Sequence, residues 1–160
     1  MVLNGTITIN PQLPLDKSQL LDAFSKGCTL YSRGVKSHDV CAFKDAAELF
    51  TKVMESVELL DYLLINKKVE FPKKHLLDCI YKLAWSYKYQ FELASQQAMI
   101  DSGVKTHSVV HPWTNNQEEL FQISLKTFNT YLQLSVDHLD SLKAIASLFS
   151  MKALLHQSDY

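Results

Sequence analysis

Glycine and proline are scarce in this chain, four of each among 160 residues. So few breakers leave long uninterrupted segments, and long helices joined by few connections follow. Cysteine is scarce too: Cys28, Cys41 and Cys79 are widely spaced and form no CxxC. That excludes a zinc ribbon and a thioredoxin-type dithiol, and it predicts buried, reduced thiols. A net charge of −1 provides no global field to recruit nucleic acid or an anionic membrane. The opening MVLNGTITIN has no basic n-region, and no apolar run approaches the ~20 residues of a membrane span. The expected location is therefore the cytoplasm, or the nucleus. There is no Gly-rich phosphate loop, no GxSxG and no HExxH, so neither a cofactor nor enzymatic chemistry is expected.

What the chain does have is helical periodicity. The apolar fraction of 47% suits a soluble globular domain, expected over residues 15–160 after an extended arm at 1–14. In the arm, β-branched residues alternate at Thr6 to Ile9, and Pro11 and Pro14 stop regular structure. The organising segment is 43–64. There Phe43, Ala46, Ala47, Phe50, Val53, Met54, Val57, Leu60 and Leu64 recur as one stripe opposite a charged face.

The spacing predicts a first helix over about 15–35, with Leu20, Leu21, Phe24, Cys28, Tyr31 and Val35 inward. Gly27 falls within that stripe at a cost of about 1 kcal/mol relative to Ala. A close approach of another backbone would justify it, and Ala46 and Ala47 are the expected neighbours. Gly34 is expected in the turn and Asp39 as the next N-cap. Pro72 opens a third helix over about 72–100. Thr114 and Gln117 form a capping box for a fourth. Its stripe (Phe121, Leu125, Phe128, Leu132, Val136, Leu139) continues through Leu142, Ile145, Ala146, Phe149 and Ala153. One helix of that length would reach about 60 Å, too long for a compact domain. A break near 135–138 is expected. The fold class is thus all-α, an antiparallel bundle or hairpin array of four to six helices.

Candidate functional residues are few. The third helix carries a main stripe at Leu76, Ile80, Leu83, Ala84, Tyr87 and Phe91, and a second at Tyr81, Trp85 and Tyr89. A helix apolar on two faces either sits mid-bundle or borders a groove, and rings with polar tips serve both roles. Lys67, Lys68, Lys73 and Lys74 gather before and at the start of this helix, a solvated turn or an anchor for an acidic partner. His107 and His111 have an HxxxH spacing, but Gly103 and Pro112 argue against the helix a metal site would need.

Two resemblances bear on function. LYSRGVKSHDVCAFKDAAELFTKVMES resembles a tetratricopeptide-type hairpin. Together with LLDCIYKLAWSYKYQFELASQQAMIDSG it also resembles the helical core of a BRO1-type domain, and the outline is similar to the MIT three-helix hairpin. These resemblances, over residues 20–135, imply a non-enzymatic adaptor or scaffold that takes a partner's helix or peptide in an inter-helix groove. The groove expected here lies between the second and third helices, bordered by Tyr81, Trp85 and Tyr89, with Lys67, Lys68, Lys73 and Lys74 at one end. A structural subunit with a permanent helical interface, homo- or hetero-oligomeric, is the first alternative. The second comes from Arg33-Gly-Val-Lys-Ser-His38, which resembles the R-x4-6-H pattern of HEPN-type RNases. That resemblance implies a phosphate-stabilising Arg33 and a basic His38.

Overall fold

The computed structural model describes residues 15–63, 71–101, 113–135 and 139–155, with no strand among them. Five helices follow in order: α1 Lys17–Ser37, α2 Val40–Leu63, α3 Lys73–Asp101, α4 Asn115–Leu134 and α5 Leu139–Leu155. The arm at 1–14, Lys67 and Lys68, and the His107–His111 pair lie outside the described residues.

Local chemistry sets most of the helix ends. Asp16 caps α1 by accepting from Gln19 N at 2.8 Å, and the Gln19 side chain returns the bond to Asp16 N at 3.0 Å. Thr114 and Gln117 do the same for α4. Asp39 opens α2, its Oδ1 accepting from Cys41 N at 3.0 Å. Gly34 is not in the turn. It lies inside α1, which runs on to Ser37 and closes at His38, whose φ of 51° supplies the left-handed cap. The expected break after α4 is seen at its near end: the helix stops at Leu134, where Ser135 is an extended C-cap, and α5 starts at Leu139.

Each helix packs on its neighbours in the chain, and the contact registers give the directions. Gly27 faces Phe50 and Gly34 faces Phe43, so α1 and α2 run antiparallel. Phe91 meets Phe121, Trp85 meets Phe128 and Tyr81 meets Tyr131, which makes α3 and α4 antiparallel. Phe24 meets His75 and Tyr31 meets Tyr89, so α1 and α3 are parallel. The helix axes therefore alternate up and down, with α3 in the middle.

Two cores result, one on each side of α3. The first joins Leu20, Phe24, Phe50, Val53, Phe71, Cys79 and Leu83. The second joins Ala84, Phe91, Phe121, Phe128, Ala144 and Leu148. In α1 the inward line is Leu20, Ala23, Phe24, Gly27 and Gly34, while Leu21 and Val35 are exposed, contrary to the stripe read from the large apolar residues. Gly27 lies against the Phe50 ring, with no alanine among its nearest neighbours. The rings need the space a missing Cβ leaves, so the glycines mark the core side of α1. At the entry to α1, the buried Leu15 N–H donates to Ser56 Oγ at 3.2 Å, tying the start of the helix to α2.

Candidate functional site: the aromatic cleft on α3

Tyr81, Trp85 and Tyr89 are separated by four residues each, so they form a ladder along one face of α3. Ring centroids are 6.3 Å apart between Tyr81 and Trp85 and 5.4 Å apart between Trp85 and Tyr89. All three are half-buried. One flank is α1, whose Tyr31 ring lies 6.3 Å from Tyr89. The other is α4, whose Tyr131 ring lies 5.3 Å from Tyr81 and whose Phe128 meets Trp85 edge-on at 5.7 Å. Beneath Tyr89, the Phe43 ring of α2 is stacked at 4.8 Å. The ladder thus opens between α1 and α4. The space between α2 and α3, where the groove was expected, is a separate furrow lined by Lys44, Ala47, Glu48, Thr51, Lys52, Glu55, Tyr87 and Gln90, and none of the three ladder rings borders it.

At the N-terminal end of α3 the cleft widens into an open cavity of about 900 Å³. Phe24, Lys73, Lys74, His75, Leu77, Asp78, Tyr81, Tyr131 and Asp140 line it. Lys73 and Lys74 are exposed at the mouth, so Tyr81 and two of the four lysines share one cavity. Trp85 and Tyr89 continue the aromatic surface beyond it. Tyr31, Asp78, Tyr131 and Asp140 were missed as site residues. A signal existed for Tyr131, which follows Phe128 by three positions and so shares its side of α4. Asp140 carried none, because only the placement of α5 in the tertiary structure brings it here.

The polar groups around the ladder are held in defined states. Burial raises the Tyr31 phenol well above the ordinary tyrosine range, aided by the neighbouring Tyr89. Burial also raises Tyr81 and Tyr89, so all three phenols are neutral and keep their protons for hydrogen bonding. The Trp85 indole N–H is shielded from solvent without a well-formed hydrogen bond. Buried Lys88 bonds Glu92 and lies 5.0 Å from the Trp85 ring. Burial opposes the Lys82 charge, but Asp78 at 2.9 Å outweighs it and raises the ammonium.

Two further sets of candidate residues behave differently. The Cys28 thiol is raised, because burial outweighs the neighbouring Lys82, and Cys79 is pushed far up by burial. Neither has the depressed pKa of a nucleophile. Cys41, expected to be buried, is exposed. Arg33 lies 3.9 Å from Asp39 on the surface, while His38 is the left-handed cap beyond α1 rather than a residue within a helix, as the HEPN pattern has it. Among the described residues, no three His, Cys, Asp or Glu side chains gather as a metal site. None of the described helices is long and apolar enough to cross a membrane.

No protein-family model, curated protein or solved structure matches the chain.

Proposed function

We propose that the protein is a non-enzymatic interaction module that receives a helix or peptide of a partner protein in the cleft on α3. The observation that carries this reading is the ladder itself. Three rings with polar tips stand half-buried on the open face of a central helix, with more rings on both walls and cations at one end. Half-burial fixes each ring and leaves apolar surface to cover, which lowers the ordering cost of binding. A partner segment would lay an apolar stripe on Tyr81, Trp85 and Tyr89 and set acidic residues near Lys73 and Lys74.

Trp85 is unsuitable as the test position, because its packing on Phe128 makes truncation a folding perturbation. Tyr81 and Lys74 are better placed. Selection of displayed peptides on the purified chain should enrich amphipathic sequences with acidic flanks. Their affinity should fall at least about tenfold in Tyr81→Ala and about threefold in Lys74→Glu, both still folded by circular dichroism. Peptides that bind both variants as well as the parent chain would refute the cleft.

A further inference from the structure

Gln90, Leu93 and Gln97 share one face of α3 and form the floor of a second cavity, of about 420 Å³. Lys44 of α2 stands on one wall and Leu120 of α4 on the other. The volume lies within the range of small-molecule sites. Tyr81, Trp85 and Tyr89 do not border it, so it is separate from the cleft proposed for a partner segment.

Gln90 is the unusual member of this lining. It is only 5% exposed, and its side-chain Nε2 is closed off from solvent with no hydrogen-bond partner. Buried amides are normally satisfied, because a donor left unmade carries the full desolvation cost of the group. A ligand oxygen at this wall would supply the missing acceptor. Exposed Lys44 stands at the same end, since both residues line this cavity and the adjoining furrow between α2 and α3. Among the described lining residues there is no Asp or Glu, so nothing there competes with a bound anion for the lysine. From Gln90 the floor runs along α3 toward Ile100, a distance of about 15 Å at 1.5 Å per residue. Ile100 is 69% exposed and, with Leu93 and Leu120, leaves apolar surface along that path.

We propose that this cavity binds a medium-chain aliphatic carboxylate. One carboxylate oxygen accepts from the Gln90 amide, Lys44 balances the charge, and the chain lies over Leu93, Leu120 and Ile100. Burial of the chain supplies most of the affinity, and the two polar contacts fix the orientation. An aliphatic amine is rejected, because it would face Lys44 as a like charge and leave the Gln90 donor unmade.

Octanoate titrated into the full chain, followed by amide and methyl NMR, tests this. The Gln90 side-chain amide and the Ile100 and Leu120 methyls should shift, with a Kd at or below about 1 mM. Octanamide, equally long but uncharged, should bind at least about fivefold more weakly, and Lys44→Gln should abolish that preference. Gln90→Leu removes the amide at similar volume and should weaken octanoate at least about fivefold. No hydrogen bond is lost with it, so this variant should melt no lower than the parent, which separates a ligand role from a structural one. An absence of shifts up to about 10 mM octanoate overturns the proposal. Shifts confined to Tyr81, Trp85 and Tyr89 overturn it as well, by placing the acid in the other cleft. Octanamide binding as tightly as octanoate removes the carboxylate from the assignment and refutes it. Tighter binding of N-acetyl-leucine than of octanoate gives the site to a peptide's C-terminus instead. A lower melting temperature for Gln90→Leu shows that the amide is satisfied within the fold, and the site then has no basis.

Discussion

Gly27→Ala tests the packing of α1 on α2 most directly, because two opposing effects of known size meet there. In an exposed helix interior the change stabilises by about 1 kcal/mol through backbone entropy. Here the added Cβ would stand 2.7 Å from Cε1, 3.0 Å from Cδ1 and 3.1 Å from Cζ of the Phe50 ring. Carbon atoms in contact need about 3.5 Å or more, so the ring would have to retreat by close to 1 Å. Phe50 is fully buried, with Phe24 on one side at 6.3 Å and its own carbonyl accepting from Cys79 Sγ at 3.5 Å. Forcing one carbon into such a core costs about 1–3 kcal/mol. The clash should therefore win by about 1 kcal/mol, which lowers Tm by roughly 2–4 °C in a chain of this size. Urea unfolding followed by circular dichroism gives the free energy. Phe50→Leu in the same chain should relieve the clash and leave a coupling of at least about 0.5 kcal/mol between the sites. A rise in stability for Gly27→Ala, or additivity of the pair, would refute the close approach.

Other outcomes follow from single contacts. Thr114→Ala removes the acceptor for Gln117 N at 3.1 Å and should cost about 1 kcal/mol, whereas Thr114→Ser should be nearly neutral in the same urea titration. Ser56→Ala strips the buried Leu15 N–H of its acceptor and should cost about 1–3 kcal/mol, with the loss appearing as earlier hydrogen exchange at the start of α1. Burial opposes ionisation of Glu118, but hydrogen bonds from Trp113, Lys152 and Gln122 outweigh it and lower the carboxyl below its ordinary value. A lowered folded pKa contributes stability above the unfolded value and loses it as pH falls through the folded one. Glu118→Gln should therefore have a lower urea midpoint than the parent near neutral pH, and the gap should shrink toward about pH 3. A gap that stays constant or widens on acidification would contradict the hydrogen bonds assigned to the carboxylate.

Much of the architecture is legible in residue order, because helices are specified locally. The 3.6-residue recurrence of Ala46, Ala47, Phe50 and Val53 sets the buried face of α2 without reference to any partner. The Asp16, Asp39 and Thr114 caps act within three residues, so their chemistry can be read from the sequence. Length alone required a break between α4 and α5. Tyr81, Trp85 and Tyr89 are likewise a visible second stripe, since a helix places them on one side wherever it sits.

Which helices flank that stripe is a different kind of fact. The amphipathic pattern of α3 does not state whether α2 or α4 takes a given side, and only the up-down stacking sets α1 and α4 beside the ladder and brings Asp140 to its end. The glycines were misread for the same reason. Gly34 looks like a turn residue in sequence, yet the Phe43 ring from another helix occupies the space of its missing side chain. In α5, Leu139, Leu142 and Phe149 looked like core continuing from α4. The helix is apolar on two sides, so periodicity could not choose between them, and packing on α4 selected the side of Ala144 and Leu148. Periodicity and capping, both local, were determined by the sequence; the partner of each face was decided by tertiary packing, because one apolar stripe satisfies burial against any complementary neighbour.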